Sequence, residues 1–235
     1  MRTYRLEIRV LQIAVLVTMV VMVFGMVNIW RGASEIPPID DIVQDGTTPG
    51  VDEPADETPV NTKIVCLGDS FTYGYPGEPK DSWPQRVADV LQIEVINAGK
   101  VHQNASDLLQ RFEQDVVLND PGRVIIFAGV GDALREITLE EYQNNIMALV
   151  EKAESKHIKP ILALPVPFPG TKSLNEAYRE WELAYAKEKN IEILDFQVVL
   201  FDSEGKIITK YSSDGRYPNK AGYQAIGDYV ARVLQ

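Results

Sequence analysis

The stretch IVCLGDSFTYG, residues 64–74, decides how the rest of the chain is read. Ile64, Val65, Cys66 and Leu67 form a continuous apolar run with two β-branched residues, the pattern of a strand covered on both faces. Gly68 ends the run, Asp69 and Ser70 fill a turn, and Gly74 permits a second tight backbone step. A serine at the carboxyl end of a first parallel strand stands where open α/β sheets place their ligand sites.

Outward from this stretch, strand and helix signals alternate. Ser82 is the expected N-cap of a helix reaching residue 91, with Pro84 in its first turn. Residues 93–96 read as a short strand. Ser106 is expected to cap a helix that turns Leu108, Leu109, Phe112, Val116 and Val117 to one apolar face. Residues 123–127 form the third expected strand, and Thr138 with Glu141 makes a capping box for a helix to about residue 156. Further strands are expected at 160–164 and 191–194, with a helix over 174–189 between them and a terminal helix opened by Asn219. This alternation predicts an α/β fold, a three-layer αβα sandwich on a five-stranded parallel sheet. The loops 68–77, 97–105, 128–135 and 212–220 then gather at the carboxyl edge of that sheet.

The first 61 residues have another character. Residues 10–30 carry no charge, and as a helix they span roughly 31 Å, the thickness of a bilayer core. The run is longer than the apolar region of a cleavable signal peptide, and the sequence after it is a poor cleavage site, so it reads as an uncleaved transmembrane anchor. Arg2, Arg5 and Arg9 precede it and Arg31 alone follows closely. The expected topology is a short cytoplasmic N-terminus (1–9) with everything after the anchor outside, a single-pass cell-membrane protein. Between residues 32 and 61 stand eight acidic residues, five prolines and no Lys or Arg, the composition of a solvated tether (31–61). The globular domain is residues 62–235, enough chain for one real core.

The net charge is −11, and no basic run offsets it, which argues against nucleic acid as a partner. Cys66 is the only cysteine, so no internal disulfide forms, and its strand position marks it as a core residue. No Cys/His cluster suggests a metal, and no cofactor is called for. Protein partners are not indicated.

The string GDSFTYG resembles the first signature block of the SGNH (GDSL-type) hydrolases, where this serine is the nucleophile. Matches continue at Trp83-Pro84, Asn97, Asp107-Leu108-Leu109, Gly129, Asp132, Asp214-Gly215, Pro218-Asn219 and Gly222-Tyr223, so that the resemblance spans 63–235. It implies a flavodoxin-like sandwich and a serine esterase site. Such a site needs a serine nucleophile, a histidine base, a carboxylate to orient that base, and donors for the oxyanion. Ser70 matches the nucleophile and Asp214 the carboxylate. The family pattern Asn-x-Gly-x-x-Gly reads NAGKVH here, which puts His102 at the donor glycine. The pattern Gly-x-Asn-Asp reads GVGD, with Gly131 at the donor asparagine, and Asp-Gly-x-His-Pro-Asn reads DGRYPN, with Tyr217 at the base.

Three readings follow. In the first, the domain binds an acylated glycan or lipid component of the envelope with little ester hydrolysis, and Asp69, His102, Gly131, Asp132 and Tyr217 shape the site. In the second it is an active esterase in which His102 serves Ser70 as an alternative base, with Asp214 as orienter. In the third the fold is an interaction platform and the cleft is unused. His157, the other histidine, is expected at a surface turn. Tyr73, Tyr75, Phe168 and the stiff 165–170 loop are candidates for a pocket wall, and Asp214 is expected to meet Arg216, Lys220 or Tyr217.

Overall fold

The computed structural model describes residues 61–235. The expected anchor and nearly all of the tether lie outside the described residues. Among the described residues, no helix is long and apolar enough to cross a membrane.

The chain runs through β1 (Ile64–Gly68), α1 (Ser70–Tyr73), α2 (Trp83–Leu91), β2 (Val95–Gly99), α3 (Ala105–Asp115) and β3 (Arg123–Phe127). It continues through α4 (Val130–Leu134), α5 (Leu139–Ser155), β4 (Lys159–Ala163), α6 (Lys172–Lys189), β5 (Glu192–Leu194), α7 (Gln197–Leu200) and α8 (Lys220–Leu234). The strands form one parallel sheet in the order β2-β1-β3-β4-β5. That is the flavodoxin-like order, and its switch point lies between β1 and β3. Ser70 follows β1 and Gly129 to Asp132 follow β3, so the first and third signature blocks meet at that crevice.

Alternation along the strands divides the core into two layers. Val65, Leu67, Val124, Ile126 and Leu162 pack against Leu108, Phe112, Ile146, Leu149 and Tyr178 of α3, α5 and α6. Ile64, Cys66, Ile125, Phe127 and Ile161 pack against Val87, Leu200, Ile226 and Val230 of α2, α7 and α8. The inner strands β1, β3 and β4 are therefore buried on both faces, as their unbroken apolar runs require, while the edge strands β2 and β5 are only partly buried. Burial of Cys66 pushes its thiol pKa well up and leaves an inert core residue.

Two expected boundaries move. β2 begins at Val95 and runs to Gly99, because Gln92 still closes α2 in a left-handed conformation and the ladder with β1 pairs Ile64 with Val95 and Gly68 with Gly99. The cap of α3 is Asn104, not Ser106. The Asn104 side chain accepts the Asp107 N–H and the Asp107 carboxylate accepts the Asn104 N–H, each at 3.0 Å, while Ser106 lies inside the first turn. At α5 the Thr138 half of the expected box is made, its hydroxyl accepting the Glu141 N–H at 3.2 Å.

Candidate active site

Ser70 is the first residue of α1. Asp69 caps this short helix, its Oδ1 accepting the Phe71 N–H at 2.9 Å, and Gly74 closes it at φ 102° with its N–H on the Ser70 carbonyl. The turn leaves Ser70 7% exposed. Its Oγ accepts the main-chain N–H of His102 at 3.0 Å. His102 sits at φ 61°, a left-handed conformation that costs a residue with Cβ about 1–2 kcal/mol. Arg135 holds it there, donating to the His102 carbonyl at 2.5 Å and to Asp107 at 2.9 Å. The imidazole is exposed and lies against the Tyr75 ring, centroids 6.4 Å apart. His102 thus meets Ser70 through a main-chain donor, the kind of group that stabilises an oxyanion, and not through its ring.

Tyr217 stands where the family pattern has its base, and its phenol lies beside Ser70. The ring packs among Phe71 (5.4 Å), Tyr75 (4.8 Å) and Phe168 (5.2 Å). Burial, reinforced by the charge of Asp69, raises the phenol pKa above its usual value against the opposing pull of Arg216 and Ser70. Tyr217 is therefore protonated at neutral pH. Asp214 is exposed and shapes its own turn, Oδ1 accepting the Arg216 N–H at 2.8 Å, the Tyr217 N–H at 3.0 Å and the Ser212 hydroxyl at 3.1 Å. Burial pushes its carboxyl up, but these bonds outweigh it and hold the pKa below the ordinary range. Of its expected partners, Tyr217 and Arg216 reach it through backbone N–H groups. The Arg216 guanidinium stacks over Phe168 at 5.1 Å, and Lys220 pairs with Asp81 at 2.7 Å.

Gly131 has no room for a side chain. A Cβ there would lie 1.9 Å from the Gln103 carbonyl oxygen and 2.8 Å from its carbon. The loop carrying His102 fills the space an asparagine side chain would need. Asp132 ties the same loops from beneath, accepting the Ala105 N–H at 3.1 Å and the Gly129 N–H at 3.0 Å. Burial lifts Asp69 to about 7, with the Asp132 charge adding to it, and lifts Asp132 to about 6. Both carboxylates are buried and accept backbone N–H groups, so they hold the loops that form the site wall. Among the described residues no group of His, Cys, Asp and Glu is placed to hold a metal.

Residues 66–225 match the model of the GDSL-like lipase/acylhydrolase family. The chain belongs to this family. It is 52% identical to a G-D-S-L family protein from Desulfitobacterium hafniense DCB-2, whose structure superposes with a TM-score of 0.73 over 74% of this chain and 100% of that one. It is 30% identical over 117 residues to the uncharacterized lipoprotein YqeF of Bacillus subtilis (strain 168), a match covering 44% of this chain and about half, 48%, of that protein. It is 23% identical to an arylesterase of Vibrio mimicus over 181 residues, 73% of this chain and 88% of the relative.

Two largely buried charged residues of this GDSL domain were not singled out in the sequence. Arg111, 10% exposed, donates to the Gly68 carbonyl at 2.8 Å, to Ala98 at 2.6 Å, and to Gln103 and Asp115 at 2.5 Å. It thus satisfies the carboxyl ends of β1 and β2 and steadies the His102 loop. Its only sequence signal is the i,i+4 spacing to Asp115, which reads as a surface pair. Glu182 is 1% exposed and accepts the Tyr142 hydroxyl at 2.5 Å, and burial lifts its pKa to about 8. Its place on a charged helix, among Arg179, Glu180 and Lys187, reads as solvated surface.

Proposed function

We propose that this GDSL-family domain is an envelope-associated binding module that holds an acylated or sugar-containing component at Ser70 with little or no ester hydrolysis. The observation that carries the reading is Tyr217. A protonated phenol in an aromatic cluster adjoins the serine where hydrolysis needs a base. Removing a triad histidine from a serine hydrolase lowers its rate on the order of 10⁶-fold. The closed Gly131 position removes a second donor, a type of loss that costs roughly 10²–10³ in rate.

The groups that remain suit recognition. The Ser70 and Tyr217 hydroxyls and the His102 N–H supply hydrogen bonds for a carbonyl or sugar hydroxyl, and the partly exposed Tyr75 and Tyr217 rings supply a stacking surface. The apolar run 10–30 and the lipoprotein relative support membrane attachment at the envelope, with the domain outside.

The test is hydrolysis of p-nitrophenyl acetate by the full-length chain in detergent. Turnover is expected to be no higher than that of Ser70→Ala, and Tyr217→His is expected to raise it at least tenfold. Turnover lost in both Ser70→Ala and His102→Ala would instead establish the esterase that uses His102.

A further inference from the structure

The charges on the loops around Ser70 are unevenly matched. Arg135 pairs with Asp107 at 2.9 Å, Lys100 with Asp115 at 3.0 Å and Lys220 with Asp81 at 2.7 Å. Arg216 has no such partner: among the described residues no carboxylate lies within ion-pair distance of its guanidinium. Its main-chain N–H, not its side chain, meets Asp214.

The exposed guanidinium is nonetheless held in place. It stacks over the Phe168 ring at 5.1 Å, and that ring packs on Tyr217 at 5.2 Å. Stacking engages the flat face of the guanidinium and leaves its N–H edges free, the fork that takes a carboxylate or phosphate through two parallel bonds. The charge also reaches the site. Burial and the Asp69 charge raise the pKa of the Tyr217 phenol, and Arg216 opposes them.

The nearby carboxyls leave that fork to a ligand. Asp214 Oδ1 is taken by the N–H groups of Arg216 and Tyr217 and by the Ser212 hydroxyl. Asp69 is buried on the Phe71 N–H, and burial lifts it to about 7, so it is largely neutral in mild acid. The Ser70 hydroxyl, the protonated Tyr217 phenol and the Arg216 fork then present donors. A ligand that meets all three brings acceptors, one of them charged.

We infer that the component held at the Ser70 site is an anionic sugar, whose carboxylate or phosphate is gripped by Arg216 while its neutral oxygens face Ser70 and Tyr217. The inference rests on the reading of Ser70 as part of a binding site and adds the ligand's charge to it.

The test is calorimetric titration of the full-length protein at about pH 6, where Asp69 is largely protonated, in a polyoxyethylene detergent. The probes are neutral N-acetylglucosamine, N-acetylmuramate, which adds a carboxylate, and N-acetylglucosamine 6-phosphate. At least one charged sugar is expected to bind at least tenfold more tightly than the neutral one, and the tighter of the two tells carboxylate from phosphate. Arg216→Gln and Arg216→Met change an exposed side chain, and both are expected to erase the preference while cooperative melting persists. Met still covers Phe168, so it separates loss of charge from loss of packing. Tyr75→Ala, at a site ring 37% exposed, is expected to weaken every sugar that binds. Absence of saturable binding by both charged sugars, equal binding of the neutral one, a preference that survives Arg216→Met, or binding indifferent to Tyr75→Ala overturns the inference. Hydrolysis of p-nitrophenyl acetate that is lost in Ser70→Ala overturns instead the reading on which it rests.

Discussion

Putting back the asparagine that the GDSL pattern carries at position 131 is expected to damage the protein, not to repair its chemistry. A Cβ at Gly131 lies 1.9 Å from the Gln103 carbonyl oxygen, a backbone atom with no side-chain freedom to yield. The loop must move, and with it go the His102 N–H bond to Ser70 and the Ala105 N–H bond to the buried Asp132. Overpacking of this kind costs about 1–3 kcal/mol. A lost hydrogen bond to a charged group costs a further 1.5–3 kcal/mol, roughly. The sum is about 3–5 kcal/mol, which in a domain of this size lowers Tm by roughly 10 °C. Gly131→Ala carries the same Cβ and is expected to lose nearly as much. Thermal melting followed by circular dichroism at 222 nm measures both. If either variant melts within about 2 °C of the wild type, the loop is not closed against Gly131 and the reasoning fails.

Other expectations follow from the same contacts. The carboxyls of Asp132, Asp69 and Glu182 titrate at about 6, 7 and 8 in the folded chain, against about 4 unfolded. The folded state then binds more protons than the unfolded one between those values, so their contribution is full below about pH 4 and is lost as pH rises toward 8. Chemical denaturation should show stability falling from pH 5 to 8, with Glu182→Gln flattening the slope at the upper end; a rise over that range would contradict the assignment. Arg111→Met strips the carbonyls of Gly68 and Ala98 and the Asp115 carboxylate of their shared donor. It is expected to cost about 3 kcal/mol in urea unfolding, the scale of breaking a largely buried ion pair, and a loss below about 1 kcal/mol would show that Arg111 merely rests on the surface.

The fold was legible wherever local pattern and tertiary role coincide. The apolar runs at Ile64 and Val124 are strands on any reading, and Asn219 caps α8, its side chain accepting the Gly222 N–H at 3.1 Å. β2 was misplaced because Asn97, Ala98 and Gly99 have loop chemistry, and only pairing with Cys66, Leu67 and Gly68 makes them a strand. Gly99 is there for α1, since a Cβ would fall 2.1 Å from the Tyr73 nitrogen. The departures of residues 102, 131 and 217 from the family pattern could be read directly. Their physical consequence could not: the closing of Gly131 against Gln103, the grip of Arg135 on His102 and the contact of Tyr217 with Ser70 all join segments far apart in sequence. Glu182 was hidden for the same reason, because polar residues on a charged helix give no sign of which are buried.

The central claim is that Ser70 is not an activated nucleophile, because Tyr217 is a donor and the His102 ring does not serve it. Fluorophosphonate labelling of the full-length chain, read by intact mass with Ser70→Ala as control, addresses this at the atom concerned. The account predicts no adduct at Ser70 in a protein that still melts cooperatively. A rapid, stoichiometric adduct that disappears in Ser70→Ala would contradict it and make this chain a working serine hydrolase.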